Sequence, residues 1–273
     1  MSTQDYKGRA LITGGSAGIG AVYADRLARR GYDLVLVARN RDRLEALASQ
    51  ITRATGRKVE VVTADLGAKA DVQRIEERLR TDRSITALIN NAGVGATAPL
   101  LDSDVDQLDA MIQLNVVTVT RLAHAAGKAF AARGQGLIVN IASIVALAPE
   151  MLNGVYSASK AYVLSLTLSL HNEVNAKGVQ VQAVLPGATA TEFWDRAGLA
   201  VKHLPNEIVM ATDEMVDAAL AGLDQHELVT IPSLPDLRDW ESYAAARAAL
   251  KPNLSRNRAA DRYRKNGNAS ARG

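Results

Sequence analysis

Cysteine is absent from this chain of 273 residues. Its absence excludes disulfide bonds, thiolate nucleophiles, cysteine-bound zinc and iron–sulfur clusters. Histidine is scarce, and the four copies lack the spacing of metal ligands, so we expect no metal site. Long apolar runs are also missing and residues 1–9 are mostly polar. We therefore predict no signal peptide, no transmembrane segment, no membrane partner and a cytoplasmic location.

Acidic residues are nearly missing from the C-terminal end of the chain. Residues 251–273 contain seven Lys or Arg and one Asp, whereas the whole chain has a net charge of +3. The excess of positive charge therefore lies at this end of the chain. We interpret residues 251–273 as a flexible tail after one domain at 1–250. The tail has one aromatic residue and no groove-reading motif, so we expect no nucleic-acid partner.

Short β-branched runs alternate with segments of helical period, which predicts an α/β fold with a doubly wound parallel sheet. The predicted strands lie at 9–13, 33–38, 58–63, 87–90, 137–141, 179–185 and 228–231. Long helices are expected at about 104–132 and 154–177, and further helices at 213–223 and 236–250. The irregular stretch at about 188–212 is interpreted as a substrate lid.

A glycine-rich turn connects the first strand to the first helix. It contains Gly14, Ser16, Ala17, Gly18, Ile19 and Gly20. Glycines at this position let backbone N–H groups approach a pyrophosphate at the start of the helix, where the helix dipole favours anions. Because the strand, turn and helix follow in the required order, we predict a nucleotide site.

The spacing of this turn, T-G-x-x-x-G-x-G, resembles that of the short-chain dehydrogenase/reductase family. The resemblance covers residues 7 to about 232 and implies a single domain of the Rossmann type. It also implies that Asp65 and Leu66 contact the adenine. The N-N-A-G motif would let the backbone at Gly93 approach the cofactor ribose and would use Asn91 to tie strands together, with Asn91, Ala92 and Gly93 all in the cofactor site.

Arg39 follows the second strand at the position where NAD-dependent folds carry an acidic residue. A carboxylate would repel a 2′-phosphate, whereas a guanidinium offers it a planar fork. We therefore predict NADP as the cofactor. The alternative is that Arg39 is a solvated residue near a helix start and that Asp42 serves a ribose.

Four residues match the catalytic tetrad of the family. They are Asn115, Ser143, Tyr156 and Lys160. Tyr and Lys at positions i and i+4 share one helix face, so the ammonium is expected to lower the pKa of the phenol toward neutrality. The resemblance implies that Tyr156 transfers the proton, Ser143 orients the substrate oxygen, Lys160 binds the nicotinamide ribose, and Asn115 holds a water next to Lys160.

A Pro-Gly segment after the sixth strand matches the family motif that closes over the nicotinamide. Pro186, Gly187, Thr189 and Thr191 would contact the cofactor there. The following lid and the loop after Ser143 supply apolar candidates for substrate contact: Val145, Met151, Phe193 and Trp194. Simple packing under the lid is the alternative for both lid aromatics.

These patterns predict an NADP-dependent oxidoreductase, a ketone reductase or alcohol dehydrogenase, for a mostly hydrophobic small molecule. Two alternatives stay open: a non-catalytic NADP-sensing module, and the epimerase or dehydratase branch that acts on sugar nucleotides. The family resemblance further implies a homodimer or homotetramer formed through the two long helices. The sequence does not indicate which carbonyl or alcohol compound is the substrate.

Overall fold

Seven parallel strands form one sheet, in a computed structural model that describes residues 7–264. The strands are β1 Arg9–Thr13, β2 Asp33–Ala38, β3 Val59–Thr63, β4 Ile85–Asn90, β5 Gly136–Ile141, β6 Val179–Val184 and β7 Val229–Thr230. Their order in the sheet is β3-β2-β1-β4-β5-β6-β7. This order confirms the predicted doubly wound α/β fold. The order reverses between β1 and β4, and ligands of such sheets bind at that point, outside the carboxyl ends of the strands.

Nine α-helices are found within the described residues. They are α1 Gly18–Arg29, α2 Arg41–Thr55, α3 Lys69–Thr81, α4 Val105–Ile112, α5 Val119–Arg133, α6 Gly154–Val174, α7 Phe193–Arg196, α8 Thr212–Asp224 and α9 Leu237–Ala249. The helix predicted at 104–132 is interrupted: a π-helical turn at Gln113–Thr118 separates α4 from α5. Such turns occur mostly as single insertions at functional positions, and this one carries Asn115.

Apolar residues cover both faces of the sheet. Leu11, Val35 and Leu88 point to one face, where they are buried with residues of α3 and α5. On the other face, α1 and α8 contribute Leu27 and Met215 to a second buried cluster. Coverage on both faces explains why the strands are almost continuously apolar.

The chain divides into two units at Pro232/Ser233. The first contains the whole sheet, and within the described residues the second contains α9 and the short 3₁₀ turns Lys251–Asn253 and Asp261–Tyr263. The sequence-based boundary at residue 250 stays a prediction. Residues 265–273 of the predicted basic tail lie outside the described residues.

Candidate functional site

The glycine-rich turn after β1 has a backbone that only glycine adopts easily. Gly14 has φ +64° and Gly18 has φ +53°, values in the left-handed region. A Cβ atom on Gly20 would lie 2.4 Å from the carbonyl oxygen of Gly14. The N-cap residue of α1, Ala17, gives no side-chain acceptor to the first N–H groups of the helix. These donors therefore suit an external anion.

Asn91 connects the end of β4 to this turn. Its amide Nδ2 donates to the carbonyl oxygens of Thr13 and Gly14 at 2.9 and 3.2 Å. The hydroxyl of Thr13 accepts from the backbone N–H groups of Asn91 and Ala92 at 2.9 and 3.0 Å. The two central strands are thus fixed to each other at the point where the strand order reverses.

Arg39 lies just after β2 and is exposed. Among the described residues it forms no ion pair, whereas its neighbours Arg41 and Arg43 pair with Glu45 and Glu192. The predicted ligand of the 2′-phosphate therefore has a guanidinium that no carboxylate of residues 7–264 neutralises. The Arg43–Glu192 pair is a contact that sequence analysis missed, because its partners are 149 residues apart.

Asp65 and Leu66 lie in the loop that follows β3. The carboxylate of Asp65 accepts from the backbone N–H of Gly67 at 2.9 Å, and the carbonyl oxygen of Leu66 accepts from the hydroxyl of Thr118 at 2.7 Å. The loop is thereby fixed to the π-helical turn. The predicted adenine contacts of Asp65 and Leu66 stay a prediction.

Asn153 fixes the start of α6, the helix that carries the Tyr–Lys pair. Its side-chain oxygen accepts from the N–H groups of Val155 and Tyr156 at 2.9 and 3.2 Å. Its amide donates to the carbonyl oxygen of Ala98 at 2.7 Å. Asn153 is buried and was missed by the sequence analysis, although an Asn before a helical segment is a recognised N-cap signal.

Tyr156 and Lys160 are both buried, at 5% and 7% exposure. Burial raises the pKa of Tyr156 to about 12, and the Ser143 hydroxyl acts in the opposite direction. Burial also lowers the pKa of Lys160 to about 8. Burial thus raises the pKa of the phenol, the opposite of the lowering toward neutrality that was expected from Lys160. The Lys160 Nζ lies 5.9 Å from the Tyr156 ring centroid and donates to the carbonyl oxygen of Ile141 at 2.9 Å.

Asn115 is brought next to this pair by the π-helical turn. Its side chain accepts from the N–H of Val94 at 3.0 Å and donates to the carbonyl oxygen of Val94 at 2.8 Å. The same amide donates to the hydroxyl of Ser159 at 3.1 Å. A Cβ on Gly93 would lie 3.1 Å from Asn115 Oδ1 and 3.5 Å from Lys160 Nζ. Asn115, Gly93 and Lys160 therefore converge on one location.

The Pro-Gly segment and the lid lie over the carboxyl end of the sheet. The carbonyl oxygen of Pro186 accepts from the Ser143 hydroxyl at 3.4 Å. A Cβ on Gly18 would lie 3.2 Å from Thr191 Cγ2, so the start of the lid faces the glycine-rich turn. The indole N–H of Trp194 donates to the carbonyl oxygen of Thr189 at 3.0 Å, and Trp194 is buried. These contacts favour a packing role for Trp194 over contact with the substrate.

An apolar cluster surrounds Tyr156. Val145 and Met111 are buried in it, and Phe193 packs against it, with its ring centroid 5.7 Å from that of Tyr156. Met151, another predicted substrate contact, is 57% exposed. A carbonyl compound whose oxygen meets Ser143 and Tyr156 would place its substituents against this apolar surface.

No helix among residues 7–264 has the length and apolar character needed to cross a membrane. The predicted cytoplasmic location stays a prediction.

A family model described as short chain dehydrogenase matches residues 8–200. Human 17-beta-hydroxysteroid dehydrogenase type 3 is 36% identical over 216 residues, which are 77% of this chain and 66% of that protein. Very-long-chain 3-oxoacyl-CoA reductase from Anas platyrhynchos is 36% identical over 67% of this chain and 60% of its own length. The chain thus spans about two thirds or less of these two relatives.

Two solved structures match almost the whole chain. A short-chain dehydrogenase from Sphingobium yanoikuyae in complex with NADPH has 48% sequence identity and a TM-score of 0.91, over 94% of this chain and 100% of that one. The bulky-bulky ketone specific alcohol dehydrogenase from Comamonas testosteroni has 44% identity and a TM-score of 0.87, over 95% and 99% of the two chains.

Proposed function

Because the chain belongs to the short-chain dehydrogenase family, we propose that it is an NADP(H)-dependent oxidoreductase. It would transfer a hydride between the nicotinamide and the carbonyl or carbinol carbon of a mostly hydrophobic small molecule. The observation that carries this proposal is the buried group of Ser143, Tyr156 and Lys160 beside an apolar surface. The Tyr–Lys pair is intact, which favours an enzyme over an NADP-sensing module.

The residues present fit a dinucleotide phosphate. The first turn of α1 has no side-chain cap at Ala17, and the positive φ angles of Gly14 and Gly18 open the turn to a pyrophosphate. Arg39, which has no ion-pair partner within the described part of the chain, offers its guanidinium to a 2′-phosphate. The neighbour from Sphingobium yanoikuyae was solved with NADPH, which supports the same cofactor here.

The bound nicotinamide supplies or accepts the hydride. Tyr156 holds the proton at its phenol oxygen, and the high pKa of this group keeps the phenol protonated at neutral pH for ketone reduction. Ser143 would donate a hydrogen bond to the substrate oxygen that receives this proton, and Lys160 places a positive charge beside the phenol. Donors aimed at a developing alkoxide in a dry site typically accelerate reactions by about a hundredfold or more each.

A panel of ketones with NADPH, and of alcohols with NADP⁺, tests this proposal by the change in nicotinamide absorbance. We expect turnover of hydrophobic aryl or branched ketones and none of sugar nucleotides. Tight NADPH binding without turnover of any ketone or alcohol would overturn the proposed reaction and favour the sensing module.

A further inference from the structure

Gly95 lies in the loop after β4 and supports the ring of Phe193 from the lid. A Cβ atom on Gly95 would lie 2.2 Å from Phe193 Cζ and 2.8 Å from Cε2. Carbon atoms in favourable contact are about 3.5–4.0 Å apart, so the ring occupies the space of any larger side chain. Gly95 lies outside the left-handed region that Gly14 and Gly18 adopt. Glycine is therefore required at this position by the space that the Phe193 ring occupies, and not by the backbone conformation.

The lid holds Phe193 in this position from the other side. Phe193 packs edge-on against Trp194, with ring centroids 5.6 Å apart and planes at 89°. The Trp194 indole is itself anchored to the carbonyl oxygen of Thr189. Further along the lid, the carbonyl oxygen of Ala197 accepts from the backbone N–H and the hydroxyl of Thr97 at 3.1 and 2.8 Å. The Thr97–Ala197 hydrogen bonds thus join the lid to the loop after β4, while the Trp194–Thr189 hydrogen bond is a contact within the lid.

The ring of Phe193 reaches the catalytic tyrosine. Its centroid lies 5.7 Å from that of Tyr156, with the planes tilted by 44°. Phe193 is half-buried, whereas Tyr156 is buried. A carbonyl compound that reaches Tyr156 would therefore carry one of its substituents near the Phe193 ring.

We propose that Gly95 is a positioning residue: by holding the Phe193 ring against Tyr156 it sets the size of ketone substituent that the site accepts. This inference rests on the proposed function. An alanine at position 95 cannot coexist with the present ring position, so the ring must rotate or the lid must move. Either change alters the space beside Tyr156 without touching the atoms that react.

A double-mutant cycle tests the proposal. The kcat/KM for reduction of acetophenone and of butanone by NADPH is measured for the wild type, Gly95→Ala, Phe193→Ala and the double variant. We expect Gly95→Ala to change the acetophenone-to-butanone ratio by about tenfold or more, as single-carbon changes in apolar pockets do. In the Phe193→Ala background the same substitution should change the ratio by less than about twofold, because the ring it displaces is gone.

Gly154→Ala is the matched control. Gly154 begins the helix of Tyr156, and a Cβ there meets no atom within 4 Å. This variant should keep the wild-type ratio. Since the Phe193→Ala background removes the clash, the double variant remains informative where Gly95→Ala alone folds poorly.

Fluorescence provides a readout that does not depend on activity. The chain has two tryptophans, Trp194 and Trp240, so Trp240→Phe leaves Trp194 as the reporter beside the Phe193 ring. Gly95→Ala should shift its emission, and the shift should vanish in the Phe193→Ala background.

The proposed function and the proposed role of Gly95 are overturned by different results. A wild type that reduces no ketone overturns the proposed function, while the fluorescence cycle still decides whether Gly95 positions the Phe193 ring. Equal effects of Gly95→Ala with and without the Phe193 ring, or no effect in either readout, would overturn the role of Gly95.

Discussion

At the scale of single residues, burial distinguishes the side chains of the candidate site. Tyr156 and Lys160 are buried together, and burial moves both pKa values toward the uncharged forms, to about 12 and about 8. Arg39 is in the opposite situation, exposed and without an ion-pair partner among the described residues. Tyr156 therefore keeps its proton at neutral pH, and Arg39 is suited to recognition of an anion.

Cofactor choice is predicted to depend on Arg39. NADPH should bind more tightly than NADH by about tenfold to a hundredfold, because a charged, two-pronged hydrogen bond is lost with NADH. Arg39→Ala should remove most of this preference, and Ala38→Asp combined with Arg39→Ile should reverse it. Dissociation constants are measured at fixed salt, since an exposed contact is screened.

Arg41→Ala is the control for this prediction. Arg41 is two residues away and also exposed, but its guanidinium pairs with Glu45. Its removal should leave the preference intact. An unmodified protein that binds both cofactors equally would show that Arg39 is only a solvated residue.

The pH dependence of ketone reduction is predicted to reflect Lys160. Because its pKa is lowered to about 8 by burial, Lys160 loses its charge as the pH rises through that value. The kcat/KM, which reports the free enzyme, should be constant at lower pH and fall above about 8. In Lys160→Arg the fall should move to higher pH, since a guanidinium keeps its proton there. An unchanged fall in this variant would assign it to another group.

At the scale of elements, ion pairs tie the amino ends of β1 and β3 to α3. Glu60 on β3 accepts from Arg9 on β1 and from Arg78 on α3. Arg9 also pairs with Asp82, which follows α3, at 3.1 Å. The Arg78 hydrogen bond is the largest of the effects that lower the pKa of Glu60. This group lies at the opposite end of the sheet from the catalytic residues, so it concerns stability and not the reaction.

Stability is predicted to fall in acid partly through Glu60. A carboxylate whose folded-state pKa is below its unfolded value of 4.5 stabilises the fold above that value, and the contribution is lost as the pH falls through the folded-state pKa. Glu60→Gln should therefore lower the melting temperature at pH 7 and have little effect in strong acid. Glu77→Gln, which removes an exposed pair with Arg80 on α3, should have little effect at either pH. A Glu60→Gln penalty independent of pH would contradict the assignment.

At the scale of the whole molecule, periodicity and spacing were sufficient to predict the sheet. The strand at Arg9–Thr13 and that at Asp33–Ala38 have the predicted bounds, because strands covered on both faces are continuously apolar. The π-helical turn around Asn115 was not predictable. One inserted residue rotates the apolar face by about 100°, but α4 before it has only eight residues, too few for the change of register to stand out.

Contacts between residues far apart in the sequence account for the other features that the sequence did not predict. Glu192 and Arg43, or Gly95 and Phe193, meet only once the lid has folded over the sheet, and no local pattern signals such pairs. The pKa of Tyr156 depends on burial by several elements, which a Tyr–Lys spacing cannot report. The family motifs, by contrast, are local and were visible at once.

Assembly is predicted to use the face formed by α4, α5 and α6. Val105 and Ile112 on α4 and Tyr162 on α6 are 73%, 39% and 39% exposed, and the small residues Ala161, Ser165 and Ser169 are not buried in α6. Covering such a surface favours association through apolar burial. We expect a homodimer or homotetramer by light scattering at micromolar concentration, and a monomer would contradict the prediction.

The central claim is that Tyr156 supplies the proton for NADPH-dependent carbonyl reduction. Its most direct test is the turnover of a hydrophobic ketone by Tyr156→Phe, with NADPH affinity measured on the same protein and Tyr162→Phe on the same helix as the control. The account predicts that Tyr156→Phe binds NADPH like the wild type and loses about a hundredfold or more in kcat, while Tyr162→Phe keeps its activity. Turnover by Tyr156→Phe close to that of the wild type would contradict it.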